Sequence, residues 1–379
     1  MSKIEWTDRT WNPVRGCSRV SEGCRNCYAE RIATRFSGPG QSYEGFADGS
    51  PRHSQTGAVQ TGRRGHWTGR VELIPEKLDE PLRWRKPQKI FVNSMSDLFH
   101  EALDFRDIAA VYGVMAAAQH HTFQVLTKRP ARRRDFMVWV AREVETMWAP
   151  LEGSSAEAEF CMHRAWKDGA GERIEAPLRR PWPLPNVWEG ASVEDQATAD
   201  ERILELLQTA AARRFISYEP ALGPVAFAGH LWPSGIPGHC VDIDGAWWHP
   251  PGHCEGASVN CRGDCCLSPL DWIIVGGESG PGARPFDVEW ARSTIRQCRE
   301  ARVACFVKQL GTSVRCATEA PECGRAVCVG EYEGHGGQQP ACARCCAHGN
   351  EDGYCWPLSR KGSDPSEWPE DLRVREFPA

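Results

Sequence analysis

The sequence predicts an α/β protein built as a partial parallel barrel of six strand–helix units, interrupted by cysteine-rich insertions. Three observations predict it. Six short apolar runs recur along the chain, helical patterns lie between them, and each run ends in a cluster of polar residues. Strands alternating with helices imply parallel βαβ units. In a parallel barrel every strand C-terminus opens on one face, where a site is built.

The runs fall at residues 89–98 (KIFVNSMSDL), 122–129, 186–196, 214–220, 271–280 (DWIIVGGESG) and 304–311. Their apolar residues are continuous rather than alternating, the pattern of strands buried on both faces. Residues 105–120, 195–212 and 288–301 carry apolar side chains at helical spacing, and the second of these opens on an acidic cap. The polar clusters follow the runs: Ser94, Ser96 and Asp97; Thr127, Lys128 and Arg129; Ser192 and Glu194; Ser217 and Glu219; Glu278 and Ser279; Lys308 and Gln309.

Four stretches break the repeat: a Gly-, Ser- and Arg-rich loop at 37–67, a polar insert at 148–185, and cysteine-rich segments at 230–268 and 316–355. Loops this long in a compact domain are functional, disordered or held by metal. The expected organisation is a barrel over 1–315 carrying the first three, a cysteine-rich metal-binding segment at 316–355, and a tail at 356–379 packing back on the barrel.

With 379 residues, 41% hydrophobic and 25% charged, the chain has the composition of a globular protein. A net charge of -5 argues against a broad, non-specific grip on nucleic acid. A local basic patch remains open at Lys128, Arg129, Arg132, Arg133 and Arg134, a run that reads equally well as a solvated helix face. No stretch approaches the about 20 apolar residues that span a membrane, and the N-terminus lacks an apolar signal core. A cytoplasmic protein with no membrane association and reduced thiols is expected. The 18 cysteines then point to metal or cluster ligands more than to disulfides.

Residues 16–31 read GCSRVSEGCRNCYAER. Cys17, Cys24 and Cys27 are separated by six and two residues, and Tyr28 follows at once. Three thiolates can hold three irons of a four-iron cluster and leave the fourth open to a ligand. Gly16 and Gly23 allow tight backbone around the sulfurs. A C-x-x-C pair alone also fits zinc sites and redox motifs, so zinc and plain buried thiols stay open as alternatives. The CYAER continuation discriminates, because it sets an aromatic and a helix start directly after the last thiol.

This segment resembles the cluster loop of radical S-adenosylmethionine enzymes. The segments WNPVRGC, CRNCYAER, VNSMSDLF, FQVLTKRP, NVWEGASVE, RFISYEPALGP, DWIIVGGESGPGARP, FVKQLG and LRVREFP extend the resemblance. Together they resemble a phage and bacterial protein family of unknown function related to radical S-adenosylmethionine enzymes such as spore photoproduct lyase. They span residues 6–377, with the inserts outside the match. One departure is the first gap of the triad, six residues where the radical enzymes have three.

The resemblance implies a partial barrel of the radical type, a [4Fe–4S] cluster on Cys17, Cys24 and Cys27, and S-adenosylmethionine as cofactor, with Tyr28 near its adenine. It directs Ser94, Ser96 and Asp97 to the methionine amino group, and Ser192 and Glu194 to the ribose. Lys128 suits the carboxylate as a point charge, and Glu219 and Glu278 remain for substrate or cofactor. The implied chemistry is reductive cleavage to a 5′-deoxyadenosyl radical, fed by a one-electron donor such as flavodoxin or ferredoxin. The implied substrate is a nucleic acid base or nucleoside. A peptide or small metabolite is the alternative. A non-catalytic zinc protein, binding nucleic acid or serving as an adaptor, is the reading from another class. A second candidate metal set comprises Cys254, Cys261, Cys265 and Cys266 with Cys342, Cys345, His348 and Cys355. Segments this polar cannot bury a core, so zinc or an auxiliary iron–sulfur cluster is expected to hold them.

Overall fold

The computed structural model describes residues 4–48, 65–147, 183–231, 270–280, 282–316 and 362–378, and the backbone of short strand pieces at 242–243, 246–247 and 328–329. The chain divides into two compact units, Met1–Ala191 with Glu205–Arg214, and Ser192–Leu204 with Phe215–Ala379.

The fold is α/β. Seven strands form the main sheet: β1 (Arg9–Trp11), β2 (Lys89–Val92), β3 (Thr122–Thr127), β4 (Val187–Val193), β5 (Arg213–Tyr218), β6 (Trp272–Gly276) and β7 (Ala304–Gln309), in that order. The register is parallel from β1 to β4 and again from β5 to β7. An order that never reverses is the winding of a partial barrel, and it has no switch point of the doubly wound kind. Six of these strands are the predicted runs. The seventh, β1, is an addition to the expected six. It is three residues long, and only its last residue, Trp11, is buried. Such a strand carries no apolar run to read.

In the first unit, α1 (Tyr28–Arg35), α2 (Phe105–Ala117) and α3 (Pro130–Met147) accompany β1–β4. Asp104 caps α2 by accepting the Arg106 N–H at 2.7 Å, a contact that stabilises a helix start by about 1 kcal/mol. Ile90 and Val92 of β2 and Phe123 and Val125 of β3 share one core with Ile108, Val111 and Met115 of α2 and Phe136 of α3. Burying each such side chain stabilises by about 1.5–3 kcal/mol. Trp11 closes this core, and its indole N–H donates to the Lys77 carbonyl at 2.7 Å. The predicted helix at 105–120 thus ends at Ala117, and α3 is a helix that the sequence pattern did not delimit.

In the second unit, α4 (Gln196–Leu207) lies only partly within it, whereas α5 (Val288–Ala301) belongs to it whole. Every residue of β6 is buried, as its Trp-Ile-Ile-Val run requires. The C-terminal residues lie along β7. The Val307 N–H donates to Val374 O at 2.8 Å, and the Glu376 N–H donates to Cys305 O at 2.9 Å. The Phe377 ring packs on Trp272 and Phe306. This cover pairs backbone groups that an edge strand would otherwise leave open. Among the described residues, no helix is long and apolar enough to cross a membrane.

Candidate functional site

The cysteine loop is built by backbone restraint first. Val14–Arg15 pairs antiparallel with Glu72–Leu73, which fixes the entry to the loop. Gly16 has φ 91°, and a Cβ there would lie 1.9 Å from the Arg70 carbonyl oxygen, so only glycine fits. Cys24 closes a short 3-10 turn, and Cys27 is the N-cap of α1. Glu30, buried on α1, ties the loop down by accepting the Arg19 Nε–H at 3.1 Å and the Trp67 N–H at 3.0 Å.

The three thiols are free and half-buried. Burial pushes the Cys17 thiol up to about 12, with the Asp97 carboxylate adding to the rise and the Arg129 guanidinium opposing it. Cys24 and Cys27 also raise Cys17, and Cys24 raises Cys27. Burial is the main cause of the raised Cys27 thiol, opposed by the Glu30 and Ala29 N–H groups of the first helical turn. Those N–H groups, at the positive end of α1, favour a thiolate at Cys27. Among the described residues, no group of three or more His, Cys, Asp or Glu side chains is arranged to hold a metal ion. Cys17, Cys24 and Cys27 share one loop, and the last of them stands at a helix N-terminus.

The end of β2 carries the first polar cluster. Ser94, Ser96 and Asp97 are all engaged internally. The Ser94 hydroxyl donates to Asn12 Oδ1 at 3.1 Å, and the Ser94 carbonyl accepts the Tyr28 hydroxyl. Ser96 donates to Val14 O at 3.0 Å. Asp97, buried, accepts from the Phe99 N–H at 3.0 Å, the Thr127 hydroxyl at 2.7 Å, the Lys128 N–H at 3.0 Å and the Arg129 guanidinium at 3.2 Å. Lys128 is half-buried at the end of β3. The group left over is Asn93, which the sequence reading passed by. It is 2% exposed, its φ is 58°, and neither atom of its side-chain amide has a hydrogen-bond partner. A buried, unsatisfied amide on a left-handed backbone is a mark of a functional position. The signal was an Asn set between an apolar run and a polar cluster, since Asn tolerates that backbone better than most residues.

The basic run is a correction. Arg129 reaches Asp97, Glu101 and Ser18. Arg133 is fully buried against Glu189, with Tyr112 on the other carboxylate oxygen. Arg132 donates to Leu103 O and lies over the Phe105 ring. Arg134 pairs with Glu205 at 2.6 Å. Arg129 and Arg133 are thus buried struts, whereas Lys128, Arg132 and Arg134 are half-buried.

In the second unit, Glu194 is buried in an ion pair with Arg202 at 3.2 Å. Ser192 donates to the Glu219 carbonyl at 3.4 Å. The Glu219 carboxylate accepts from Lys308 Nζ at 2.6 and 2.8 Å and from Gln309 at 3.2 Å. Glu278 is clasped by Arg284 at 2.7 Å. Polar strand ends do cluster here, with each carboxylate already matched to a cation. Cys254, Cys261, Cys265, Cys266, Cys342, Cys345, His348 and Cys355 lie outside the described residues.

A model of a protein family of unknown function, DUF5131, matches residues 1–348. No curated protein and no solved structure matches the chain.

Proposed function

The chain belongs to the DUF5131 family, and we propose that it is a radical S-adenosylmethionine enzyme with a [4Fe–4S] cluster on Cys17, Cys24 and Cys27. The observation that supports this reading is the set of three free thiols on one restrained loop, running directly into Tyr28 and α1. A cluster held by Cys17, Cys24 and Cys27 would supply one-electron reductive cleavage of S-adenosylmethionine.

The chain's own residues hold and orient. Gly16 and the Glu30 clasp keep the thiols together. Tyr28 is fixed by its hydroxyl on the Ser94 carbonyl, which sets its ring at the exit of the cluster loop. Asn93 takes the part first given to Ser94, Ser96 and Asp97, offering an amide to a polar group of the cofactor. The nucleic acid base or nucleoside keeps the sequence resemblance as its support, since the arginine run is internally paired.

The deciding experiment is anaerobic iron–sulfur reconstitution followed by addition of dithionite and S-adenosylmethionine. A brown protein that forms 5′-deoxyadenosine is expected. A colourless protein that retains zinc alone would sink the reading and favour the zinc adaptor. Asn93→Gly is a second test. Glycine accepts φ 58° without strain, so thermal stability is expected to hold within about 0.5 kcal/mol. Binding of S-adenosylmethionine, read by calorimetry, is expected to weaken about tenfold, the worth of one buried hydrogen bond. Unchanged affinity would return Asn93 to a purely backbone role.

A further inference from the structure

The cysteine loop is tied to the strand ends at one further point. The Ser18 hydroxyl, one residue from Cys17, lies 2.8 Å from His100 Nε2 and accepts from Arg129 Nη2 at 2.9 Å. Arg129 also donates to the Ser18 carbonyl at 3.3 Å. His100 follows the polar cluster at the end of β2 and is 4% exposed. Its other ring nitrogen, Nδ1, accepts the Ala102 N–H at 3.1 Å. A backbone N–H can only donate, so Nδ1 carries no proton. The proton of the neutral ring is therefore on Nε2, and His100 donates to Ser18. One hydroxyl oxygen thus joins three segments: the cysteine loop, the turn at 97–102 and the residues after β3.

These contacts suit one protonation state only. A proton added at Nδ1 sets a donor against the Ala102 N–H. It also brings a second cation to the oxygen that Arg129 already holds. Arg129 and Arg132 oppose a charge on the ring, and Glu101 and Asp97 favour it. The Glu101 carboxylate is 3.9 Å from Nδ1 but 62% exposed, so water screens its pull. Asp97 is already engaged by Arg129, Thr127 and two backbone N–H groups. Burial first, and then Arg129, holds the imidazole below its ordinary value.

We propose that His100 is a proton-operated latch on the cysteine loop: neutral, it clasps Ser18, and on protonation it lets the loop open. A histidine kept neutral in the closed form takes up its proton more readily in the open one. The latch is closed above the ordinary histidine value of about 6.5 and weakens as pH falls below it. Opening acts on Cys17 first, because Ser18 is its neighbour. The latch needs no metal on the thiols.

The test is the rate at which a pyridyl disulfide labels Cys17 in the iron-free, full-length protein, read from the mass of the tryptic peptide 16–19. Ser18→Ala removes the clasp at every pH. His100→Gln keeps a donor for Ser18 that does not titrate. Proteins are compared with one another at each pH, so the reagent's own pH dependence cancels. At pH 7.5 the native protein is expected to label about tenfold more slowly than Ser18→Ala, the worth of one buried hydrogen bond. At pH 5.5, still above the ordinary carboxylate range of about 4, the two rates are expected to agree within about threefold. His100→Gln is expected to stay slow at both. A gap between native and Ser18→Ala that is the same at both pH values would overturn the latch, as would equal rates at pH 7.5. A gap that closes in His100→Gln as it does in the native protein would assign the titration to another group and sink the proposal. His100→Asn keeps an acceptor for Ala102 but falls short of Ser18, and it decides the matter if His100→Gln does not fold. It is expected to label as fast as Ser18→Ala at both pH values, and slow labelling at pH 7.5 would refute the latch.

Discussion

Replacing any one of Cys17, Cys24 and Cys27 with alanine is expected to abolish the cluster and all formation of 5′-deoxyadenosine. Iron in the reconstituted protein is expected to fall from about four per chain to below about one, because three thiolates are the minimum that leaves one iron open. The effect is all-or-none for a geometric reason. The loop offers three thiols, and the two other free cysteines among the described residues, Cys298 and Cys305, belong to the second unit. Two other cysteines supply the control. Cys298 and Cys305 are buried in the second unit. Cys298→Ala is expected to cost stability of about 1 kcal/mol, as small core truncations do, and to leave the iron content alone. Iron that persists at four per chain in Cys24→Ala would refute the assignment. Equal loss in Cys24→Ala and Cys298→Ala would show that iron reports folding and nothing more.

The contrast between these cysteines shows what the sequence could and could not express. The spacing of Cys17, Cys24 and Cys27, with Tyr28 and the start of α1, is local, and local geometry is legible. So are β2 to β7, because strands buried on both faces must be continuously apolar. β1 was hidden because a three-residue strand carries no period. The polar strand ends were placed correctly, but which of their atoms are already engaged was not readable. That depends on partners far away in the chain. Arg129 finds Glu101 at a separation of 28 residues, and Arg133 finds Glu189 at 56. Two members of the basic run, Arg129 and Arg133, are therefore buried struts although the run reads as one solvated face. Asn93 escaped for the opposite reason. The role proposed for it rests on its amide having no hydrogen-bond partner, and a missing partner leaves no pattern in a sequence.

Asp97→Ala is expected to destabilise the iron-free protein by about 3–5 kcal/mol, the cost of leaving a buried cation without its partner. Asp97 accepts from two backbone N–H groups, one hydroxyl and the Arg129 guanidinium. Removing it leaves the Phe99 and Lys128 N–H groups without acceptors and Arg129 with only the exposed Glu101 and with Ser18. A shift of about 5 °C in thermal midpoint follows from that energy for a chain of this size. The consequence reaches the cysteine loop. Arg129 donates to the Ser18 hydroxyl at 2.9 Å, one residue from Cys17, and His100 holds the same hydroxyl at 2.8 Å. Loss of Asp97 loosens that clasp, so cluster retention falls together with stability. Two roles for Asp97 can then be told apart without any cofactor. A carboxylate kept to bind the methionine amino group is a burden in the free protein, and its removal would leave the iron-free midpoint unchanged or raised. A strut lowers it. Asp97→Asn keeps the shape but turns one acceptor into a donor that faces donors. It is expected to lie between the native protein and Asp97→Ala, nearer the latter. An iron-free Asp97→Ala protein as stable as the native one would return this residue to the cofactor and leave Arg129 to be held by Glu101 and Ser18 alone.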